Sequence, residues 1–272
     1  MRMLTTPHMA MPAIGLGTWP MRGAECEAAV RSALELGYRH IDTAEMYGNE
    51  VEIGRAIAGL PRRELFLTSK AWWDRTDGAA IRRACEESLA RLRCAYLDLY
   101  LIHWPSPRLD LPSALEGLAG LVRDGLARAV GVANFPPGLL RRALALGIVP
   151  LACNQVEHHV YLGQEKLIAL CAQHGMVLTS YTPLAKGRVV EDPVIRRIAA
   201  AHGATPGQVA LAWALAQGPV AVIPKASGRA RQAENLAAAA LRLTPEEMQA
   251  LAALPKDRRM VNPDFAPDWE AE

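Results

Sequence analysis

The feature that most constrains this chain is an alternation repeated eight times: a short, nearly all-apolar run, then a stretch with apolar residues at helical spacing. The runs are "AIGLGTW" (13–19), "RHIDT" (39–43), "LFLTSK" (65–70), "LDLYLIH" (97–103), "RAVGVAN" (128–134), "LACNQV" (151–156), "MVLTSY" (176–181) and "VAVIPK" (220–225). The intervening stretches centre on 24–36, 49–58, 77–92, 112–123, 136–146, 164–174, 192–216 (broken at Thr205-Pro206) and 229–239. Runs apolar on both faces belong to a sheet covered on both sides, as parallel strands under crossover helices are. Eight such units in one chain predict an α/β fold, the (β/α)8 TIM barrel, rather than an open doubly wound sheet. The glycine fingerprint of the open sheet is also missing, because "GLGTWP" puts Pro20 where a third glycine would stand.

After the eighth unit, Thr244-Pro245 with Glu247 in capping-box register predicts a last helix over 245–254. The Pro- and Asp-rich segment from Pro255 reads as a short C-terminal tail lying across one face. No linker interrupts the pattern, so residues 1–272 are expected to form a single barrel domain.

Composition excludes several classes of function. The chain is 51% hydrophobic and 21% charged, and no run approaches the ~18 apolar residues of a membrane span, which predicts a soluble protein with no membrane partner. The opening "MRMLTTPHMAMP" lacks the apolar core of a secretory signal, which predicts a cytoplasmic location. Five scattered cysteines without a CxxC pair read as buried thiols, with neither a disulfide framework nor a zinc cluster. The net charge of +2 is spread without a basic block, so no nucleic-acid partner is expected and any anion site is small.

In a barrel of this kind the site lies where the strands end. The polar residues there form a set: Asp42, Lys70, His103, Asn134, Asn154-Gln155, Ser180-Tyr181 and Lys225. Ionisable groups ending strands two, three and four converge in space, and burying them together is costly unless they pair. Tyr47, in the turn after Asp42, adds a phenol. Its ordinary pKa of ~10 makes it a poor acid at neutral pH. A lysine ammonium held by Asp42 would stabilise the phenolate and is expected to pull the phenol down toward neutrality. A tyrosine acid with an assisting imidazole, His103, suits protonation of a developing alkoxide while hydride arrives from elsewhere.

"GLGTW", "GYRHIDTAEMYGNE", "SK" closing strand three, "DLYLIHWP", "GVANF", "NQVEHHVYL", "SYTPLA" and "IPKASGRARQAEN" together resemble, in order and from end to end, the aldo-keto reductase superfamily. The short inter-strand loops and the ending "DRRMVNPDFAPDWE" place the resemblance closest to its bacterial 2,5-diketo-D-gluconate reductases. The resemblance implies NADPH bound without a Rossmann fold and a catalytic set of Asp42, Tyr47, Lys70 and His103, with Tyr47 as proton donor. It also implies that Asn134 and Gln155 hold the nicotinamide carboxamide, that Tyr181 stacks on the ring, that Leu184 lies along the pyrophosphate, and that Thr18 belongs to the cofactor set.

The residues themselves support an anion site in "KASGRARQAEN", where Lys225, Ala226, Arg231, Glu234 and Asn235 span a strand end and the first turns of a helix. A 2′-phosphate suits it. Two departures from the family pattern, Ala133 and Ala226 where hydroxyl residues are usual, each remove a hydrogen bond worth ~0.5–1.5 kcal/mol, enough to weaken NADPH binding severalfold. Trp19, Trp72 and Trp104 stand at strand ends and are expected to line the substrate pocket beside Tyr47 and His103. His158 and His159 resemble a metal pair, but neighbours on an extended chain point apart, and no metal is expected.

The expected activity is reduction of small polar aldehydes and ketones by a monomeric enzyme. The resemblance implies 2,5-diketo-D-gluconate-like keto sugars and methylglyoxal-like α-oxoaldehydes as candidates. A cofactor-binding sensor or regulatory subunit on the same fold, and an NAD-linked sugar dehydrogenase, are the alternatives.

Overall fold

The computed structural model describes residues 2–270. An N-terminal hairpin, β1 (Met3–Thr5) and β2 (Ala10–Pro12), precedes the barrel. The barrel strands are β3 (Leu16–Gly17), β4 (His40–Asp42), β5 (Phe66–Ala71), β6 (Leu97–Ile102), β7 (Ala127–Ala133), β8 (Leu151–Glu157), β9 (Val177–Tyr181) and β10 (Val220–Val222). They pair in parallel and in chain order. Parallel bridges Ile14↔Val222 and Gly17↔Lys225 close the ring into the (β/α)8 fold. At that seam a Cβ on Gly17 would collide with the Ile223 carbonyl oxygen, so a glycine is what lets the first and last strands meet.

Helices α1 (Gly23–Glu35), α2 (Glu50–Ile57), α3 (Gly78–Leu92), α4 (Leu111–Arg123), α5 (Pro137–Ala145), α6 (Glu165–Gln173), α7 (Pro193–Ala201), α8 (Pro206–Leu215) and α9 (Arg229–Ala237) surround the strands, and α10 (Pro245–Ala252) follows. The stretch read over 192–216 is two helices, because the Thr205 capping box and Pro206 begin α8 afresh. Thr244 and Glu247 form the reciprocal cap expected for α10. The hairpin was not legible in the sequence. Its strands are too short for a periodicity, and its Leu4, Met9 and Met11 pack against the apolar residues inside the barrel.

Period-two alternation stacks the interior in layers. Phe66, Leu99 and Leu101, Ala129, Cys153, Val177 and Ala221 form the apolar filling. Tyr100 and Ile102, one residue out of phase, face the helix layer. Continuing the inward phase toward the C-terminal strand ends leads from Phe66 to Lys70, from His40 to Asp42, from Leu101 to His103, from Cys153 to Gln155 and Glu157, and from Val177 to Tyr181. The polar set is therefore the top layer of the barrel core. Among the described residues, no helix is long and apolar enough to cross a membrane.

His40 sits low in this stack, edge-on to Phe66 at 5.0 Å. Its Nε2 lies 3.1 Å from Thr68 Oγ1. Burial lowers its pKa to about 4; the Asp42 charge opposes this, and the Lys70 charge adds a smaller push downward. Burial also lowers His158, to about 3. A base whose folded pKa is depressed takes up its proton first in the unfolded chain, so stability present above pH 6.5 is lost as pH falls from there toward 4. For His40 the loss reaches at most about 3 kcal/mol. Thermal unfolding followed between neutral and mildly acidic pH should show that slope, and His40→Asn should flatten it; an equal slope in the variant would remove His40 as its source.

Candidate active site

Asp42 ends β4 and Lys70 lies near the end of β5, both inward and both fully buried. Lys70 Nζ donates to Asp42 Oδ1 at 2.5 Å and to the Thr43 carbonyl at 2.8 Å, and lies 3.4 Å from Tyr47 Oη. Tyr47 is carried by a single 3-10 turn, Glu45–Tyr47, which Gly48 terminates in the left-handed region at φ 65°. Arg22 Nε holds the Tyr47 carbonyl at 3.1 Å, and Asn49 ties the same segment to the loop after β3 through the carbonyls of Thr18 and Met21. His103 packs edge-on to Tyr47 with ring centroids 5.6 Å apart. The structure thus brings Asp42, Tyr47, Lys70 and His103 into one cluster.

The electrostatics differ in one respect from the sequence expectation. Burial raises the Tyr47 pKa, and the nearby Lys70 charge opposes this without cancelling it, so the phenol lies above its ordinary value rather than near neutrality. Burial pulls Lys70 down, but Asp42, Tyr47 and the hydrogen bonds to them outweigh it and leave the ammonium above its usual range. Burial first and Lys70 second hold His103 well below the ordinary imidazole value. At neutral pH the cluster is a charged ammonium, a neutral phenol and a neutral imidazole: a stored proton beside a cation that stabilises the phenolate left when it departs.

The other expected site residues have these partners. Gln155 Nε2 donates to Asp42 Oδ2 at 2.8 Å. Asn134, at φ 61°, donates to the His103 carbonyl at 2.9 Å and accepts from the Tyr181 hydroxyl at 2.8 Å. Thr18 is buried, and its hydroxyl donates to the Asp42 carbonyl at 2.9 Å, joining β3 to β4. Leu184 is half-buried at the N-terminus of the turn Ala185–Val190 and within van der Waals reach of the position a Cβ on Gly207 would take. Glu234 accepts from Thr205 Oγ1 at 2.6 Å and so faces the start of α8.

At the N-terminus of α9 the side chains suit an anion. Gly228 caps the helix without a side chain, leaving first-turn N–H groups free of a capping acceptor. Arg231 is exposed and has no ion pair among the described residues. Exposed Lys225 lies 3.5 Å from Ser227 Oγ and 3.9 Å from Glu25. Asn235 Nδ2 is buried and has no hydrogen-bond partner among the described residues, which leaves a donor available to a bound group. Ala226 is buried, and its carbonyl accepts from Gln232 Nε2 at 3.0 Å.

Trp72 packs edge-on to His103 at 5.1 Å, and Trp104 is buried next to it in sequence. Trp19 is 47% exposed and stands at the rim, 5.1 Å from the Tyr47 ring. The tail was expected to cross one face; it crosses this mouth. Phe265 stacks on Trp73 at 5.1 Å and meets Trp72 and Trp104 edge-on, and Trp269 packs on Trp104. Buried Glu157, next on the inner face of β8 after Gln155, anchors the tail by accepting from the N–H groups of Met260 and Val261 at 2.7 and 2.9 Å. Trp73, Phe265 and Glu157 were missed in the sequence reading. Only Glu157 carried a signal, as an ionisable residue in the inward phase of its strand. His159 Nε2 contacts Glu157 at 3.0 Å while His158 packs on Trp213, so the adjacent imidazoles face different neighbours. Among the described residues, no group of three or more His, Cys, Asp or Glu is arranged to hold a metal ion.

A closed barrel whose polar core layer opens at the C-terminal mouth is the plan of a barrel enzyme. Residues 13–256 match the Aldo/keto reductase family, and the chain belongs to that family of oxidoreductases acting on carbonyl groups. It is 43% identical over 268 residues to methylglyoxal reductase DkgB of Escherichia coli O157:H7, covering 96% of this chain and all of that one. Among solved structures, it superposes with a TM-score of 0.92 and 42% identity on a protein provisionally described as a 2,5-diketo-D-gluconic acid reductase B, over 96% of this chain and 94% of the other. It matches the aldose reductase of Schistosoma japonicum with a TM-score of 0.92 and 33% identity over the whole of both chains.

Proposed function

We propose that this chain reduces small polar aldehydes and ketones to alcohols with NADPH, Tyr47 giving the proton to the carbonyl oxygen. The observation that carries the reading is the buried Lys70 ammonium, 3.4 Å from the Tyr47 hydroxyl and held on its other side by Asp42. A neutral phenol that loses its proton beside that cation leaves a stabilised phenolate. His103, kept neutral, has one ring N–H and directs the oxygen toward the phenol by a hydrogen bond. Trp72, Trp104 and Phe265 exclude water around the reacting carbonyl, which strengthens each of these interactions. When bound, NADPH supplies the hydride to the carbonyl carbon. Arg231, Lys225 and the open N-terminus of α9 would hold its 2′-phosphate, and Asn235 would give it a buried donor. Asn134, Gln155, Tyr181, Leu184 and Thr18 complete the cofactor set in this reading, the amides serving the carboxamide and Tyr181 the ring.

Methylglyoxal-like α-oxoaldehydes and 2,5-diketo-D-gluconate-like keto sugars are the proposed substrates, supported by the relatives' names and the aromatic wall beside His103. The same reading takes residues 1–272 as one catalytic unit acting as a monomer in the cytoplasm. Its support is that one chain supplies the whole catalytic cluster and that all five cysteines are free.

Purified protein mixed with NADPH and a panel of aldehydes and ketones should consume the reduced nicotinamide, followed by its absorbance. Bound cofactor with no turnover across the panel would overturn the reading in favour of a sensor. Arg231→Ala should raise the KM for NADPH about ten- to a hundredfold, the value of one charge-assisted contact, and leave that for NADH unchanged. An equal effect on both coenzymes would remove Arg231 from the 2′-phosphate site.

A further inference from the structure

The turn that carries Tyr47 is tied to the pocket wall by a carboxylate outside the catalytic cluster. Glu45, first residue of that turn, accepts from the backbone N–H of Trp72 through Oε1 at 2.5 Å. Arg75 Nε lies 3.3 Å from its Oε1 and Arg75 Nη2 3.3 Å from its Oε2. The Glu45 side chain is 8% exposed and Arg75 covers it from solvent, so the tie is shielded at a position where an unscreened carboxylate accepts strongly from an N–H. It spans 27 residues of sequence. On one side, two residues along, stands the phenol; on the other is the indole that packs edge-on to His103 at 5.1 Å.

We infer that Glu45 is a positioning residue that couples the Tyr47 turn to the Trp72 wall and so fixes the phenol against Lys70 and the substrate oxygen. The inference rests on the proton-donor role given to Tyr47 above. A single 3-10 turn has little stability of its own. Arg22 holds Tyr47 from the rim and Asn49 holds the far end of the segment, so removing Glu45 takes away the tie on the pocket side. Arg75 is the lesser part of the tie, being more than a third exposed at its side chain.

The test compares Glu45→Ala, Glu45→Gln and Arg75→Met with wild type, using NADPH and methylglyoxal as probes. Glu45→Ala should lower kcat about ten- to a hundredfold, as a small misplacement of a reacting group does, with the KM for NADPH unchanged. Glu45→Gln keeps an acceptor for the Trp72 N–H, and Arg75→Met keeps the carboxylate; both should stay within about threefold of wild type. A full kcat in folded Glu45→Ala, or an equal loss in Glu45→Gln, would overturn the inference, as would a lowered melting temperature with kcat unaltered. Amide exchange over 43–49 and 71–76 gives a readout independent of turnover: it should quicken in Glu45→Ala and be restored in Glu45→Gln, and unchanged exchange also overturns the tie. Wild-type protein without turnover but with this exchange pattern would reject the reductase reading while leaving the tie standing.

Discussion

Tyr47→Phe should fold, melt and bind NADPH as the wild type does while turning over roughly a hundred- to ten-thousandfold more slowly. The substitution deletes one hydroxyl and keeps the ring, and the ring makes the packing contacts with Trp19 and His103. Among the described residues the hydroxyl's hydrogen-bond partner is Lys70 at 3.4 Å, a long contact that the ammonium can forgo because Asp42 and the Thr43 carbonyl hold it at 2.5 and 2.8 Å. On the proposed mechanism, what is lost is the proton itself. Steady-state kinetics with methylglyoxal, beside a melting curve and a cofactor titration, separate the two effects. A variant with near wild-type kcat would show that the proton comes from another group.

Lys70→Met should do what Tyr47→Phe does not: damage the fold as well as the chemistry. Lys70 and Asp42 are a buried pair, and removing one partner strands the other's charge inside the barrel, which costs about 3–5 kcal/mol. In a chain of this size that corresponds to roughly 10 °C in melting temperature. Gln155 still donates to Asp42 Oδ2, so the carboxylate keeps one partner of its former set. The Tyr47 phenol, raised by burial, also loses the charge that opposed that rise, and turnover should fall at least as far as in Tyr47→Phe. The double variant Lys70→Met/Asp42→Asn removes the stranded charge and should regain most of the lost stability with none of the activity. Melting within ~2 °C of wild type for the single variant, or no recovery in the double, would mean that the pair is not held as charges.

Several parts of the site could be read directly because the code for them is local. Asp42, Lys70 and His103 stood out as ionisable residues where apolar runs stop, and in a parallel barrel the ends of neighbouring runs lie side by side. Thr205-Pro206 and Thr244-Pro245-Glu247 marked helix starts because a cap needs only residues within one turn. The hairpin Met3–Pro12 and the anchoring of the tail by Glu157 carried no such signal. Three-residue strands show no period, and a carboxylate gives no sign that the N–H groups it will accept from lie more than a hundred residues away.

The sequence by itself determined the eightfold strand–helix order, and with it the barrel, because period and phase of apolar residues decide which face of each element is buried. It also determined which side chains occupy the top of the core, since inward phase carries from Phe66 to Lys70 and from Leu101 to His103. Only the tertiary structure decided the protonation and enclosure of those groups. Composition and spacing pointed to a phenol drawn toward neutrality, yet burial outweighs the ammonium and keeps its proton in place. The tail pattern left Phe265 without a partner until it met three tryptophans over the mouth. Both outcomes depend on how much water is removed around a group, which is set by segments distant in sequence.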